Sequence, residues 1–385
     1  MAGAAVPFRV EVEDAVLADL RLRLEETRLP IAPEGAGWRY GTDFGYMRNL
    51  AEHWLERYDW RRWEAALNRF PRFRAAVGGL NIHYIIEQGS GAKPLPLLLT
   101  HGWPGSVFEF DQIIEPLAHP ERFGADAGDA FTVIAPSLPG YGFSDAPATP
   151  MAPRDIARLW HELMTQVLGF ERFAAQAGDW GSVVTSWLAF DRPQSLAAIH
   201  LTMPGARPYT GEGAELLDES ETEWVAAMSR RLKAEGAYQE IQGSKPQSLA
   251  YGLTDSPLGL AAWIIEKFHG WSGGGADTPP PFDPDRLITN VMLYWLGGIN
   301  AANWLYWSVR HGGRFTLGRG ERIEVPTGFA FLPQDLMAMP PERWTRRAYN
   351  VVHRCEFPDG GHFAAMQKGP PLIEDVRQFF RRFRS

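Results

Sequence analysis

The chain has 385 residues, 45% of them hydrophobic and 22% charged, which is typical of a globular protein with modules added to one main domain. Its formal net charge is -8 and it has no long basic run, which excludes the cationic surface that nucleic-acid binding requires. The only cysteine, Cys355, excludes an intrachain disulfide and favours a reducing compartment.

The first residues, MAGAAVPFRVEVEDAV, lack the basic and apolar regions of a signal peptide. No apolar run is long enough to cross a bilayer, and the acidic balance disfavours binding to anionic membrane surfaces. We therefore predict a cytoplasmic protein with no membrane anchor.

Residues 1–75 have the pattern of an N-terminal extension. Apolar and charged side chains alternate over residues 8–12, as in a short strand. Asp14 is a candidate N-cap for a helix with an apolar stripe, and a second helical stretch spans residues 43–67. No residue of this region indicates chemistry, so we assign it a packing role.

From residue 73 the pattern changes to strands. Residues 73–87 predict a hairpin that turns at Gly78-Gly79. Short apolar runs then have the character of strands buried on both faces, at residues 96–100, 131–135, 173–176 and 196–201. Helical segments at residues 107–117 and 153–168 lie between them. The sequence therefore predicts an α/β fold with a mostly parallel central sheet flanked by helices.

The alternation breaks at residue 205. Residues 205–312 are helix-like and aromatic, which predicts a helical cap inserted into the core. Sheet signals return at residues 323–325 and 349–357, followed by a helix from Pro371. The predicted organisation is an N-terminal extension at residues 1–75, a core in two parts at residues 76–204 and 313–385, and a cap at residues 205–312.

The most informative run is AGDWGS at residues 177–182, which follows a predicted strand and precedes a helix-like stretch. Small residues flank Asp179 at a distance of two positions on each side, as a sharp strand-to-helix turn requires. In such a turn the central side chain projects from the carboxyl edge of the sheet. The alternative, which the motif alone leaves open, is that Asp179 caps its own helix.

An aspartate at this position determines the reaction class. A carboxylate that attacks carbon forms an alkyl ester, so its target is a saturated carbon that bears a leaving group. Water must then attack the ester carbonyl of Asp179. That second step needs a base and an oxyanion hole.

Candidates for the base and its partner follow along the chain. Asp335 comes just after a predicted strand, and His362 follows the last strand in the run GGHF. Nucleophile, acid and histidine in this order are typical of enzymes with a strand-to-helix nucleophile turn. His362 would accept the proton of water while Asp335 orients the ring and offsets its charge. Taken alone, His362 is better explained as a loop histidine without a catalytic role. The presence of Asp179, Asp335 and His362 in this order favours a catalytic role for it.

The oxyanion hole is expected to involve the HGWPG run at residues 101–105, directly after a buried strand. Backbone N–H groups are the donors in such sites. One comes from the residue after the nucleophile, Trp180, and one from this loop, Trp103. For the loop alone, a fixed turn without a catalytic role is the alternative.

The chain contains four motifs in an order that resembles the epoxide hydrolases of the α/β-hydrolase superfamily: HGWPGS, LPGYGFSD, GDWGS and GGHF. Its N-terminal part resembles the microsomal-type members in the runs PFRVEVEDAVLADLRLRL, WRYGTDFGYMRNL and LNRFPRF, as does the cap run at residues 245–263. The likeness covers nearly the whole chain. It implies the α/β-hydrolase fold with a helical cap and an N-terminal extension.

The resemblance also implies two cap tyrosines that hydrogen-bond the epoxide oxygen. They match Tyr238, shortly before a Lys-Pro pair, and Tyr306, which follows the run at residues 292–295. An opening epoxide leaves an alkoxide, and a phenol with its ordinary pKa of about 10 is neutral at pH 7 and can donate to that oxygen. The alternative is that either tyrosine is an ordinary cap aromatic.

We therefore expect an epoxide hydrolase that converts an apolar aryl or alkyl epoxide into a vicinal diol through an ester on Asp179, which water activated by His362 and Asp335 hydrolyses. Its expected partners are the epoxide and water, with no nucleic acid and no membrane. We expect no organic cofactor and no metal, because no His/Cys cluster offers a metal site. The sequence leaves open a homodimer, the identity of the epoxide, and a role in natural-product metabolism or detoxification.

Two other functions remain open. A haloalkane dehalogenase shares the carboxylate nucleophile and the histidine base, but its halide needs N–H donors such as the indoles of Trp103 and Trp180. Turnover of a haloalkane but not of an epoxide would identify it. The other is a catalytically inactive binding protein on the same fold. Such proteins usually lack a triad member, whereas this chain has all the candidates.

Overall fold

A single sheet of nine strands runs through the part of the chain that the computed structural model describes, residues 5–384. The strands are β1 (Val6–Pro7), β2 (Arg72–Val77), β3 (Leu80–Glu87), β4 (Leu95–Thr100), β5 (Phe131–Pro136), β6 (Phe173–Ala177), β7 (Leu196–Leu201), β8 (Ile323–Phe331) and β9 (Tyr349–Glu356). Their order across the sheet is β1-β2-β3-β5-β4-β6-β7-β8-β9. The first three pair antiparallel and the other six pair parallel, so the predicted mostly parallel sheet is confirmed.

Helices cover both faces of this sheet. They are α1 (Asp14–Glu25), α2 (Phe44–Glu56), α3 (Trp60–Leu67), α4 (Ile114–Ala118), α5 (Pro153–Glu162), α6 (Asp179–Asp191), α7 (Glu219–Glu235), α8 (Ala237–Ser244), α9 (Pro246–Asp255), α10 (Pro257–Gly270), α11 (Pro284–Gly297), α12 (Ile299–Arg310), α13 (Glu342–Ala348), α14 (Ala364–Gln367) and α15 (Gly369–Phe380). Every residue of β5, β6 and β7 is buried, which explains why these strands are continuous apolar runs in the sequence.

The hairpin predicted at Gly78-Gly79 is confirmed. Val77 pairs with Leu80, so these two glycines form the entire turn between β2 and β3. Both have positive φ, 56° and 85°, which a tight two-residue turn requires and which glycine adopts without steric cost.

The strand predicted at residues 8–12 is wrong, because only β1 pairs with β2 in this region. The backbone N–H of Val10 donates to Asn68 Oδ1 at 2.8 Å, and that of Val12 donates to Glu64 Oε1 at 2.7 Å. Side chains at the end of α3 therefore take the hydrogen bonds that a neighbouring strand would have taken. Both valines are buried, as their alternation indicates.

Three predicted helical segments differ in detail. The stretch at residues 43–67 is two helices, because the Asp59 side chain accepts from the N–H of Arg61 and starts α3 anew. The segment at 107–117 is a 3-10 turn (Val107–Phe110) followed by the short α4, and the segment at 153–168 is α5 with a π-helical turn after it. Glu13, not Asp14, stands at the N-cap of α1.

The helices α7 to α12 lie within the range predicted for the cap, residues 205–312. The predicted boundary of the N-terminal extension, at residue 75, falls inside β2, so the extension and the core share one sheet. The division into domains stays a prediction. Within residues 5–384, no helix combines the length and the apolar character that a membrane span needs.

Gly181 allows α6 to lie against the end of β4. A Cβ added at Gly181 would overlap the carbonyl oxygen of Thr100, so one of the two backbones would have to move. We predict that Gly181→Ala lowers the free energy of unfolding by about 1–3 kcal/mol, measured by denaturant titration.

The control for that substitution is Gly252→Ala in α9, where an added Cβ has no neighbour within 4 Å. Because alanine is the better helix former, this variant should keep or gain up to about 1 kcal/mol of stability. Equal stability of the two variants would show that the close approach of α6 and β4 is not tight.

Candidate active site

The chain turns sharply between β6 and α6, and Asp179 stands at the turn. Its φ is 47°, and it is the only non-glycine residue within residues 5–384 with a positive φ. Such strain persists only where the surroundings hold the backbone in place, and it often marks a functional residue. The turn places the Asp179 side chain at the carboxyl edge of the parallel strands.

The Asp179 carboxylate makes its contacts outside its own helix. Oδ1 accepts a hydrogen bond from the backbone N–H of Trp103 at 2.8 Å, and Oδ2 lies 3.3 Å from Nε2 of His362. Gly178 occupies the N-cap of α6. The carboxylate therefore faces the loop after β4 and the imidazole, and the helix-capping alternative does not describe it.

His362 and Asp335 come together although 27 positions separate them. His362 Nδ1 lies 2.8 Å from Asp335 Oδ1, and Asp335 is only 2% exposed. The backbone N–H of His362 donates to the carbonyl oxygen of Trp271, which fixes the loop after β9 against the cap. His362 Nε2 is buried and makes no hydrogen bond with the residues that the structure describes. Its 3.3 Å approach to Asp179 is thus an ion-pair distance that leaves room for another partner.

Charge dominates the protonation of this imidazole. Burial disfavours the charged ring, but the neighbouring carboxylates of Asp335 and Asp179 outweigh burial and raise the pKa of His362 well above its usual range. In the resting site an imidazolium therefore lies between two carboxylates.

The two predicted oxyanion-hole donors differ in the structure. The N–H of Trp103 bonds the carboxylate, whereas no hydrogen bond joins the N–H of Trp180 to it among the described residues. Trp180 follows Asp179 directly in the first turn of α6, and its ring packs edge-on against Tyr306 with centroids 4.8 Å apart. The Trp103 ring is fully buried and stacks on Tyr238 at 5.0 Å.

Tyr238 in α8 and Tyr306 in α12 line the same cavity as Asp179. Their rings are 5.6 Å apart and nearly perpendicular. Tyr238 Oη accepts from Gln239 Nε2 at 2.9 Å and so keeps its own proton available, while Tyr306 Oη is buried with no partner within residues 5–384. Burial raises the pKa of both phenols well above the ordinary range, so both are neutral donors.

The cavity over Asp179 has a volume of about 270 Å³. Apart from the residues already described, its wall consists mainly of apolar side chains: Val183, Met203, Met228, Leu232, Val309, Phe315, Leu336 and Met337. Its charged wall residues are Arg207 and the ion pair of Arg310 with Glu240. This wall suits an uncharged, apolar body with polar chemistry at one end.

Glu109 is a titratable neighbour of the site that sequence reasoning does not identify. It lies in the 3-10 turn after the HGWPG loop, and its carboxyl occupies the space that a side chain at Gly105 would need. Desolvation raises the pKa of Glu109 to about 8, with His362 opposing the shift and Asp179 adding to it. The spacing of four positions from Gly105 is the only signal in the sequence, and its meaning depends on the turn.

Two family descriptions match the chain. The family described as epoxide hydrolase N terminus matches residues 5–110, and the family described as alpha/beta hydrolase fold matches residues 96–235. A protein of Stigmatella aurantiaca, whose name assigns it provisionally to the epoxide hydrolases, is 40% identical over 98% of this chain and 85% of its own length. Epoxide hydrolase 1 of Oryctolagus cuniculus is 34% identical over 97% of this chain and 88% of its own length.

A solved structure of an epoxide hydrolase also matches the chain over nearly its whole length. The crystal structure of juvenile hormone epoxide hydrolase from the silkworm Bombyx mori matches with a TM-score of 0.86 at 30% identity, covering 99% of this chain and 95% of that one. The extent of these matches, together with the aspartate at the turn, leads to one conclusion. The chain belongs to the microsomal-type epoxide hydrolase family of the α/β-hydrolase superfamily and is an epoxide hydrolase.

Proposed function

We propose that this enzyme opens an apolar epoxide by covalent catalysis on Asp179 and releases a vicinal diol. One observation carries the proposal. The Asp179 carboxylate has one oxygen on the Trp103 N–H and the other toward the His362 imidazole, at the base of a cavity that two neutral phenols also line.

In the first step, Asp179 Oδ2 attacks a ring carbon, because Oδ1 already accepts the hydrogen bond from Trp103. A bond forms between Oδ2 and carbon, and the bond from that carbon to the epoxide oxygen breaks. Tyr238 and Tyr306 donate hydrogen bonds to the oxygen as negative charge develops there. Because Tyr306 Oη has no partner in the described part of the chain, it loses no existing hydrogen bond when it does so.

Ester formation removes the negative charge of Asp179. That charge helps to raise the pKa of His362, so the imidazolium becomes a stronger acid once the ester exists. The proton that it releases balances the alkoxide, and the neutral ring can then accept a proton from water. Asp335 on Nδ1 keeps Nε2 as the accepting nitrogen.

In the second step, water attacks the ester carbonyl carbon of Asp179. The negative charge then develops on Oδ1, where the N–H of Trp103 is already placed. We assign Trp180 to the same role, because its N–H follows the nucleophile directly. The bond between the carbonyl carbon and Oδ2 then breaks and Oδ2 takes up the second proton of the water, so the diol leaves with Oδ2 as its new hydroxyl oxygen while His362 keeps the first proton.

The haloalkane alternative is less well supported. A halide would need N–H donors; of the two candidate indoles only that of Trp180 lines the cavity, that of Trp103 does not, and both phenols do. An inactive binding protein is also disfavoured, because the nucleophile, the base and the acid are all in contact. For the location we propose the cytoplasm, which the single cysteine of the chain supports.

Removal of the base should separate the two steps. We predict that His362→Gln still forms the ester but hydrolyses it about 10²–10⁴ times more slowly, so that the protein accumulates the mass of one epoxide. Intact-protein mass spectrometry after mixing with an aryl epoxide measures this adduct, and peptide mapping should locate it on Asp179.

His311→Gln is the matched control, because His311 is exposed at the end of α12 and lies outside the cavity wall. This variant should turn over the epoxide and show no adduct. Continued diol release by His362→Gln without any adduct would contradict the assignment of His362 as the base.

Because burial raises its pKa to about 8, Glu109 is mostly protonated at pH 7 and then adds no second negative charge beside Asp179. Its pKa is about 8 in the folded chain, against 4.5 for an unperturbed glutamate. Below the lower value both folded and unfolded chains bind the proton, and between the two values only the folded chain does. The contribution of Glu109 to stability is therefore complete at low pH and is lost as the pH rises toward 8.

We predict that Glu109→Gln, which cannot ionise, escapes this loss. Its stability relative to the parent chain should rise by about 2–4 kcal/mol between acidic pH and pH 8–9, measured by denaturant unfolding. Glu52→Gln, at an exposed position of α2, should show the same difference from the parent at every pH. A pH-independent difference for Glu109→Gln would mean that Glu109 is ionised like an ordinary surface glutamate.

A further inference from the structure

A second cavity adjoins the one above Asp179. It has a volume of about 390 Å³ and lies along α7, with Trp224, Val225 and Trp344 among its wall residues. We call it the side chamber. The two cavities have a common wall, formed by Pro204, Arg207, Met228, Leu232 and Met337. Arg207 and the other shared residues therefore border both the cavity above Asp179 and the side chamber.

Arg207 is the charged residue of that common wall. Its backbone is fixed on both sides, because its N–H donates to the carbonyl oxygen of Phe315 and its own carbonyl accepts from Leu317. Its side chain, by contrast, forms no salt bridge and no hydrogen bond with residues 5–384. The guanidinium lies 5.8 Å from the ring of Phe315, which stacks on Trp180, the neighbour of the nucleophile. Two ring contacts thus separate this positive charge from the catalytic turn.

The other arginine of the cavity wall differs from Arg207 in having a protein partner. Arg310, in the same wall, is paired with Glu240. Surrounding protein also lowers the pKa of Arg207 by desolvation, although the residue is exposed. An exposed guanidinium in the cavity wall that has no partner among residues 5–384 is available to bind an anion from outside the chain.

We propose that the substrates include epoxides that carry a carboxylate on an apolar chain, and that Arg207 binds this carboxylate while Asp179 attacks the oxirane. The inference rests on the proposed function, because it requires the oxirane to sit at Asp179. A planar guanidinium binds a carboxylate through two parallel hydrogen bonds, and the apolar wall of Met228 and Leu232 accommodates the chain between the two ends. Arg207 is thus a specificity-determining residue remote from the reacting atoms.

A homologous series of ω-epoxyalkanoic acids and their methyl esters tests the proposal. At each chain length, kcat/KM of the acid is divided by kcat/KM of the ester. In the parent enzyme this ratio should exceed one and peak at the chain length that spans Asp179 to Arg207. In Arg207→Leu the ratio should fall about ten- to a hundredfold at the peak, mainly through KM of the acid, because a remote contact is equal in the ground state and the transition state.

Two further variants guard against a purely structural effect. Arg207→Lys keeps the charge and should keep part of the acid preference. Arg230→Leu removes a positive charge at an exposed position of α7 that lines neither cavity, and its ratio should stay within about twofold of the parent ratio. Thermal unfolding of each variant reports whether the chain is folded.

The outcomes are distinguishable. Ester turnover without an acid preference at any chain length would overturn this inference and leave the proposed function intact. This inference is also overturned, with the proposed function intact, if Arg207→Leu changes acid and ester alike or if Arg230→Leu changes the ratio as strongly. If neither acids nor esters are opened, the proposed function fails, and this inference fails with it.

Discussion

The chemistry that we propose for this enzyme depends on one carboxylate held at a strained bend. Asp179 adopts a positive φ, and its position is secured by the Trp103 N–H on one side and by the close packing of Gly181 against β4 on the other. The strain is stored in a turn between a fully buried strand and a mostly buried helix, where the surroundings cannot relax. Because of this bend, the carboxylate faces the imidazole and the cavity instead of its own helix.

The charges around this bend explain how one site performs two opposite steps. Before reaction, an imidazolium lies between the carboxylates of Asp179 and Asp335, and the two phenols are neutral. In the proposed mechanism, alkylation of Asp179 removes one of the two negative charges, so the same histidine becomes able to release its proton and then to act as a base. No change of shape is needed, since the covalent bond itself alters the electrostatics. A neutral Glu109 keeps a competing negative charge out of this balance.

The sequence predicts the parallel strands and the turn at Asp179 because each has a pattern within a few neighbouring residues. The parallel strands are short apolar runs, and small residues must flank Asp179 wherever a strand turns tightly into a helix. It does not predict the features that tertiary contacts create. Residues 8–12 alternate like a strand, but Asn68 and Glu64, far along the chain, take their hydrogen bonds. Glu109 and Arg207 have no local pattern either, since the packing around them gives each its altered pKa.

The most direct measurement is the origin of the oxygen in the first diol that the enzyme releases. Enzyme in excess over an aryl epoxide is allowed a single turnover in isotopically heavy water, and both the diol and the peptide that contains Asp179 are analysed by mass spectrometry. Attack by Asp179 predicts a diol that carries only light oxygen, with the heavy atom incorporated into the carboxylate. Heavy oxygen in that first diol, with an unlabelled Asp179, would show that water attacks the epoxide directly.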